Sequence, residues 1–155
     1  MYVYRISQTK YANSLQAPGI YGRWNSEGQR IIYTAGSVAL ACLENVVHRS
    51  GAALSSGKFS IAIIAIEKDV SIGEFSINKL TKLSADWYKV ENYPITQQIG
   101  DRWLADQSSA LLKIPSAIIE HEYNYLINPN HPHFSKIKIS SVEPFKFDPR
   151  LKSNL

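Results

Sequence analysis

The sequence holds one cysteine, Cys42, and one methionine. A lone cysteine excludes an internal disulfide and any zinc site built on several thiolates. Long apolar runs are missing: none approaches the ~20 residues a membrane helix needs, so no membrane partner is expected. The N-terminus, "MYVYRIS", lacks a charged start followed by an apolar stretch, and does not read as a signal peptide. Charge is sparse too. Charged residues make up 19% of the chain, and 17 basic against 13 acidic side chains leave a net charge of +4. The basic residues are dispersed, whereas nucleic-acid binders cluster them, so no direct nucleic-acid contact is expected. No phosphate-cradling G-x-x-x-x-G-K loop, no G-x-G-x-x-G helix start and no H-E-x-x-H pair is present. These absences point to a cytoplasmic protein.

What remains is a globular composition. Hydrophobic residues form 45% of 155 positions, enough for one domain with a real core and no staples. "YVYRI" alternates and predicts a strand over 2–6. Residues 14–30 are broken by Pro18, Gly19, Gly22 and Gly28 and predict a long connection of the kind that carries function. "RIIYT" predicts a second strand, and Ser37 caps a helix over 38–49. The near-continuous apolar run 57–67 suits a central strand buried on both faces. Residues 68–93 read as loops with a turn of helix, and Pro94 opens a helix over 93–109. Two short extended pieces surround Pro115, an extended piece begins at 122, and one or two strands occupy 136–148. The expected architecture is a single α+β domain over residues 1–155.

One position stands out. Leu40, Leu43, Glu44 and Val47 follow helical spacing, which puts a carboxylate on an apolar face. An unpaired buried carboxylate is costly. Either the face borders a cleft, or a cation pairs with Glu44, or the side chain lies at the boundary and reaches solvent. Arg5, inside a strand, is an exposed strand arginine or an anion ligand. Arg23 in "YGRWN" is a loop arginine beside a structural tryptophan, or a guanidinium suited to phosphate. Tyr33 is a core aromatic or a stacking surface. Ser116, after Pro115, is unremarkable by itself. Cys42 reads as a small core residue, and "HPH" at 131–133 as turn structure in place of a metal site.

Taken in order, "YGRWNSEGQRIIYTAGSVALACLENVVH", "IGDRWL", "IPSAII", "NYLINPNHPHF" and "FKFDPRL" resemble the RES domain family. These are toxins of type II toxin–antitoxin pairs with an Xre-like antitoxin. The resemblance spans nearly the whole chain; Tyr21 departs from it, where members often carry a second glycine. It implies a mixed, mainly antiparallel sheet like that of ADP-ribosyltransferase toxins. It also implies activity on NAD+ as a substrate, with water or phosphate as acceptor, and neither a resident cofactor nor a metal. The family's glutamate and serine match Glu44 and Ser116; its arginine is Arg5 or Arg23, and Tyr33 matches a tyrosine of the block. The implied catalytic set is Glu44, Arg23 and Ser116, with Arg5, Arg23, Tyr33 and Ser116 holding NAD+. Tyr33 would stack on nicotinamide and Ser116 would bind the carboxamide or ribose. Protein ADP-ribosylation is the rival activity. An RNA-acting toxin or a non-catalytic binding module is the rival class. A homodimer and a heteromeric complex with the antitoxin are both compatible with the sequence.

Overall fold

The computed structural model describes residues 1–152; the last three residues of the expected domain lie outside the described part. The chain order is β1 (Tyr2–Gln8), β2 (Ile32–Ala35), α1 (Val38–His48), α2 (Gly51–Ser56), β3 (Phe59–Ile66), β4 (Ile72–Glu74), α3 (Ile77–Leu83), α4 (Tyr93–Asp106), β5 (Leu111–Pro115), β6 (Tyr123–Ile127) and β7 (Ile137–Phe145). All seven strands join one sheet, ordered β4-β5-β6-β2-β1-β3-β7. Only β4 and β5 run parallel; the other neighbours are antiparallel. The expected α+β class and mainly antiparallel sheet are what the chain forms.

Local chemistry accounts for the helix starts. Ser37 caps α1 by accepting from the Leu40 amide at 3.1 Å. Ser50 caps α2 through the Ala53 amide at 3.1 Å. The proline-opened helix ends at Asp106, three residues short of expectation, because Gln107 turns left-handed with φ 48°. Two elements were not foreseen. α2 lies in "GAALSS", between the expected helix and strand, and β4 has three residues and a glycine. β4 exists because it pairs with Leu111–Lys113 of β5. The second extended piece expected after Pro115 is instead a turn, and residues 137–145 form one strand.

β3 is buried on both faces as its apolar run implies, although it lies second from the edge. Phe59 and Ile61 pack with Leu40 and Ala41 of α1, while Ala62, Ile64 and Ile66 join Val3, Ile32 and Ile127 on the opposite face. Cys42 is partly buried against the α1 cluster, and burial pushes its thiol pKa up, away from nucleophilic character. A third cluster gathers Trp24, Trp87 and Trp103 around Leu80 and Leu126. His131-Pro132-His133 enters a short 3-10 turn in which His131 Nδ1 accepts from the His133 amide at 3.0 Å.

The junction between β1 and β2 is nearly unpaired. β1 pairs with β3 over seven positions but meets β2 at a single register pair, Tyr4 with Ala35. The two strands diverge beside it. At this notch the side-chain amide of Asn45, from α1, donates to the Ile6 carbonyl at 3.1 Å.

Candidate active site

The notch opens into a cavity of about 500 Å³, lined by Arg5 and Ser7 of β1, Tyr33 and Thr34 of β2, and Asn45 and Arg49. A second cavity of about 570 Å³ lies beside it, lined by Tyr21, Arg23, Trp24, Val90, Tyr93 and Ile118. Tyr33, Glu44, His48 and Asn124 border both. Arg5, Asn45 and Arg49 line the first cavity alone, and Tyr21, Trp24 and Tyr93 the second alone.

Glu44 is the carboxylate at this shared border. Its side chain is 28% exposed. The apolar face expected around it needs correction. Of the four residues on that face only Leu40 is buried; Leu43 is half-buried and Val47 is 50% exposed. Helix α1 buries Leu40, Ala41 and Val46, and around the helix Glu44 falls between Leu40 and Ala41, so Val47 is the residue that leaves the expected face. At that position, one turn after buried Leu40, the carboxylate borders both cavities. Glu44 Oε1 accepts from Asn124 Nδ2 at 2.7 Å and lies 3.5 Å from Ser116 Oγ. Oε2 lies 3.7 Å from Nε2 of the exposed His48.

Arg5 and Arg23 sit in different cavities, which share Glu44 at their border. Among the described residues neither has a carboxylate within ion-pair distance. Main-chain carbonyls hold them instead: Arg5 reaches Ser14 and Gln16 at 3.5 and 3.4 Å, and Arg23 reaches Trp87 at 3.3 Å. Arg23 also lies over the Tyr93 ring, 4.8 Å from its centre. Burial lowers both guanidinium pKa values, and for Arg23 the nearby Tyr93 and Glu44 charges oppose that effect. Both stay cationic at neutral pH. Both guanidinium groups are half-buried, and a partly desolvated cation without a counter-ion favours an anion brought into its cavity.

Tyr33 presents its ring while hiding its hydroxyl. The residue is 39% exposed, yet the hydroxyl donates to Asn25 Oδ1 at 2.6 Å and accepts from the Trp24 amide at 3.1 Å. Burial of that end raises the phenol pKa well above its ordinary value. Gly22 makes the approach possible: a Cβ there would lie 2.7 Å from the Tyr33 hydroxyl. Asn25 is fully enclosed and also donates to the Ile20 and Gln29 carbonyls at 2.9 Å, which shapes the loop. Helix α4 clamps the same loop. Thr96 and Gln97 donate to the Arg23 and Gly22 carbonyls at 2.5 and 2.9 Å.

Ser116 lies behind the site. It is 2% exposed and borders neither cavity. Its hydroxyl accepts from the Ile118 and Ile119 amides at 3.0 and 3.2 Å, which ties down the turn after β5. The structure therefore brings Glu44 and Tyr33 to the shared border of two adjoining cavities, with Arg5 in one and Arg23 in the other, and sets Ser116 against the back of Glu44. Asn124 escaped the sequence reading. Its signal was an asparagine, a poor strand former, within "YNYLI".

Fold and cleft define a single-domain α+β protein that places one held carboxylate at the shared border of two cavities, each lined by a guanidinium group. The chain belongs to the RES domain family, which matches residues 2–148. It is 37% identical to "Toxin Res" of Yersinia enterocolitica over 98% of this chain and 100% of that protein. It is 35% identical to the "Prs ADP-ribosylating toxin" of a Sphingobium species over 84% of this chain and 80% of that protein. Its fold is similar to a chain in the crystal structure of the M. tuberculosis MbcT–MbcA toxin–antitoxin complex. The TM-score is 0.77 at 16% identity, covering 97% of this chain and 85% of that one.

Proposed function

We propose that this protein is the toxin of a toxin–antitoxin pair and that it depletes NAD+ by cleaving the nicotinamide–ribose bond. The observation that carries the reading is Glu44, held at the border of two cavities that each contain a guanidinium without a carboxylate partner. A dinucleotide has the matching parts: a diphosphate for Arg5 or Arg23, a planar ring for Tyr33 and ribose hydroxyls for Glu44.

The chemistry suits one carboxylate. As the C–N bond breaks, its electron pair leaves on the nicotinamide nitrogen, which becomes neutral. The ribose carbon gains oxocarbenium character, as at other glycosidic centres. Glu44 stabilises that charge and binds a ribose hydroxyl, and one preorganised contact of this kind is worth about 3 kcal/mol. Water then forms the new C–O bond and releases its proton, giving ADP-ribose. Phosphate in the same position gives the 1-phosphate. The arginines hold the diphosphate or orient the incoming phosphate.

A second reading has its own support. The similarity to a protein named as an ADP-ribosylating toxin favours transfer of the sugar to a protein side chain in the same cleft. The solved relative from a toxin–antitoxin complex supports an antitoxin as partner here. An Xre-type antitoxin with an acidic segment complements the net charge of +4 and would inhibit by covering the cleft.

Purified protein incubated with NAD+, with and without phosphate, tests the reading by mass spectrometry. Free ADP-ribose supports hydrolysis, and its 1-phosphate supports phosphorolysis. Modified protein at stoichiometric yield with little free product supports transfer. Intact NAD+ together with RNA cleavage overturns the proposal.

A further inference from the structure

Glu44 has two oxygens in unlike surroundings. Oε1 takes the 2.7 Å bond from Asn124 and faces the buried Ser116 hydroxyl at 3.5 Å. Among the described residues Oε2 has no hydrogen-bond donor; His48 Nε2 lies 3.7 Å away, beyond hydrogen-bonding distance. A carboxylate accepts and never donates, so the amide of Asn124 must turn its NH2 toward Glu44. Its Oδ1 is thereby directed elsewhere, and among the described residues nothing donates to it. Asn124 borders both cavities and sits in β6 between Ala35 of β2 and Ile114 of β5, on a fully paired part of the sheet.

We propose that Asn124 is the positioning residue of this site: it fixes Oε1 of Glu44 and so leaves Oε2 as the oxygen presented to the substrate ribose. This role rests on the NAD+ reading above. A glutamate on a helix has three side-chain torsions, and an unanchored carboxylate would sample several of them. The short charge-assisted bond from a rigid strand selects one arrangement before substrate arrives. Ser116 supports the same oxygen from behind at the limit of bonding distance.

The test compares three variants with wild type. Asn124→Ala removes the donor, and kcat falls roughly 10- to 100-fold while KM stays within about threefold. Asn124→Asp keeps the shape but sets a second acid against Glu44, and kcat falls at least as far. In a Glu44→Gln background Asn124→Ala causes no further loss, because its effect acts through Glu44. A second readout needs no NAD+: in the free protein the Asn124 side-chain amide shows one proton resonance shifted downfield, and Glu44→Ala removes that shift.

The arms separate the two claims. Unchanged Asn124 amide signals in Glu44→Ala overturn the positioning contact while leaving the NAD+ reading intact. A wild-type kcat in Asn124→Ala, or a loss fully explained by a lower folded fraction, overturns the catalytic role of Asn124. Failure of the wild type to consume NAD+ overturns the reading and the reaction role with it, whatever the amide signals show.

Discussion

Gly100 lies directly against the main-chain carbonyl of Trp24, so close that a Cβ at position 100 would sit 1.7 Å from that oxygen. Helix α4 and the loop carrying Arg23 meet there, backbone to backbone. Alanine normally stabilises a helix interior relative to glycine by about 1 kcal/mol. Here Gly100→Ala must move the helix or the loop, and overpacking costs about 1–3 kcal/mol. The variant is expected to unfold at lower urea concentration and to lose activity through displacement of Arg23. Equilibrium denaturation checks the sign; a more stable Gly100→Ala would refute the close contact.

Glu44→Gln keeps shape and packing but removes the charge. The fold is expected to persist, with an unchanged far-UV spectrum. NAD+ loss is expected to drop by roughly two to three orders of magnitude, as for other single preorganised electrostatic contacts. Turnover at the wild-type rate would take Glu44 out of the chemistry.

Arg23 is pre-set by Tyr93 and the Trp87 carbonyl, with no carboxylate at ion-pair distance among the described residues. Arg23→Ala is expected to raise KM roughly 10- to 100-fold by removing charge-assisted bonds to the diphosphate. Arg23→Lys restores the charge but neither the planar fork nor the stacking, and is expected to recover only part of the affinity. A fall in kcat at constant KM would instead place Arg23 on the transition state.

Tyr33→Phe separates the ring from its anchor. The ring stays available for stacking, while Asn25 Oδ1 and the Trp24 amide lose their partner, at a cost of about 1–3 kcal/mol. The variant also has a pH signature. Because burial raises the Tyr33 pKa in the folded state, its stabilising contribution is complete below the ordinary phenol value of about 10 and declines above it. Wild type is expected to lose stability from that pH upward, and Tyr33→Phe to lose less over the same range. Parallel alkaline curves for the two proteins would show that the hydroxyl is not buried in solution.

Much of this was legible along the chain. Ser37 announces α1, the run 57–67 announces a doubly buried strand, and Pro94 opens α4. Glu44 drew attention through a helical face that the structure redraws, since Val47 lies outside it. Asn124 carries only a weak local signal, because one polar residue in a strand has no meaning without the Glu44 carboxylate that lies across space from it. α2 and β4 carry little local signal, because six residues depend on the Ser50 cap and three on pairing with β5.

Taken alone, the amino-acid order determined the helices with caps, the strands with apolar runs and the set of residues worth suspecting, because those depend on neighbours a few positions away. Only the tertiary structure decided that β1 and β2 part after one pair, that Arg5 and Arg23 line two cavities sharing Glu44 at their border, and that Asn124 grips its carboxylate. Those relations join residues as far as 80 positions apart. Chain closure over such distances is set by how the sheet is ordered and packed, which no local pattern encodes.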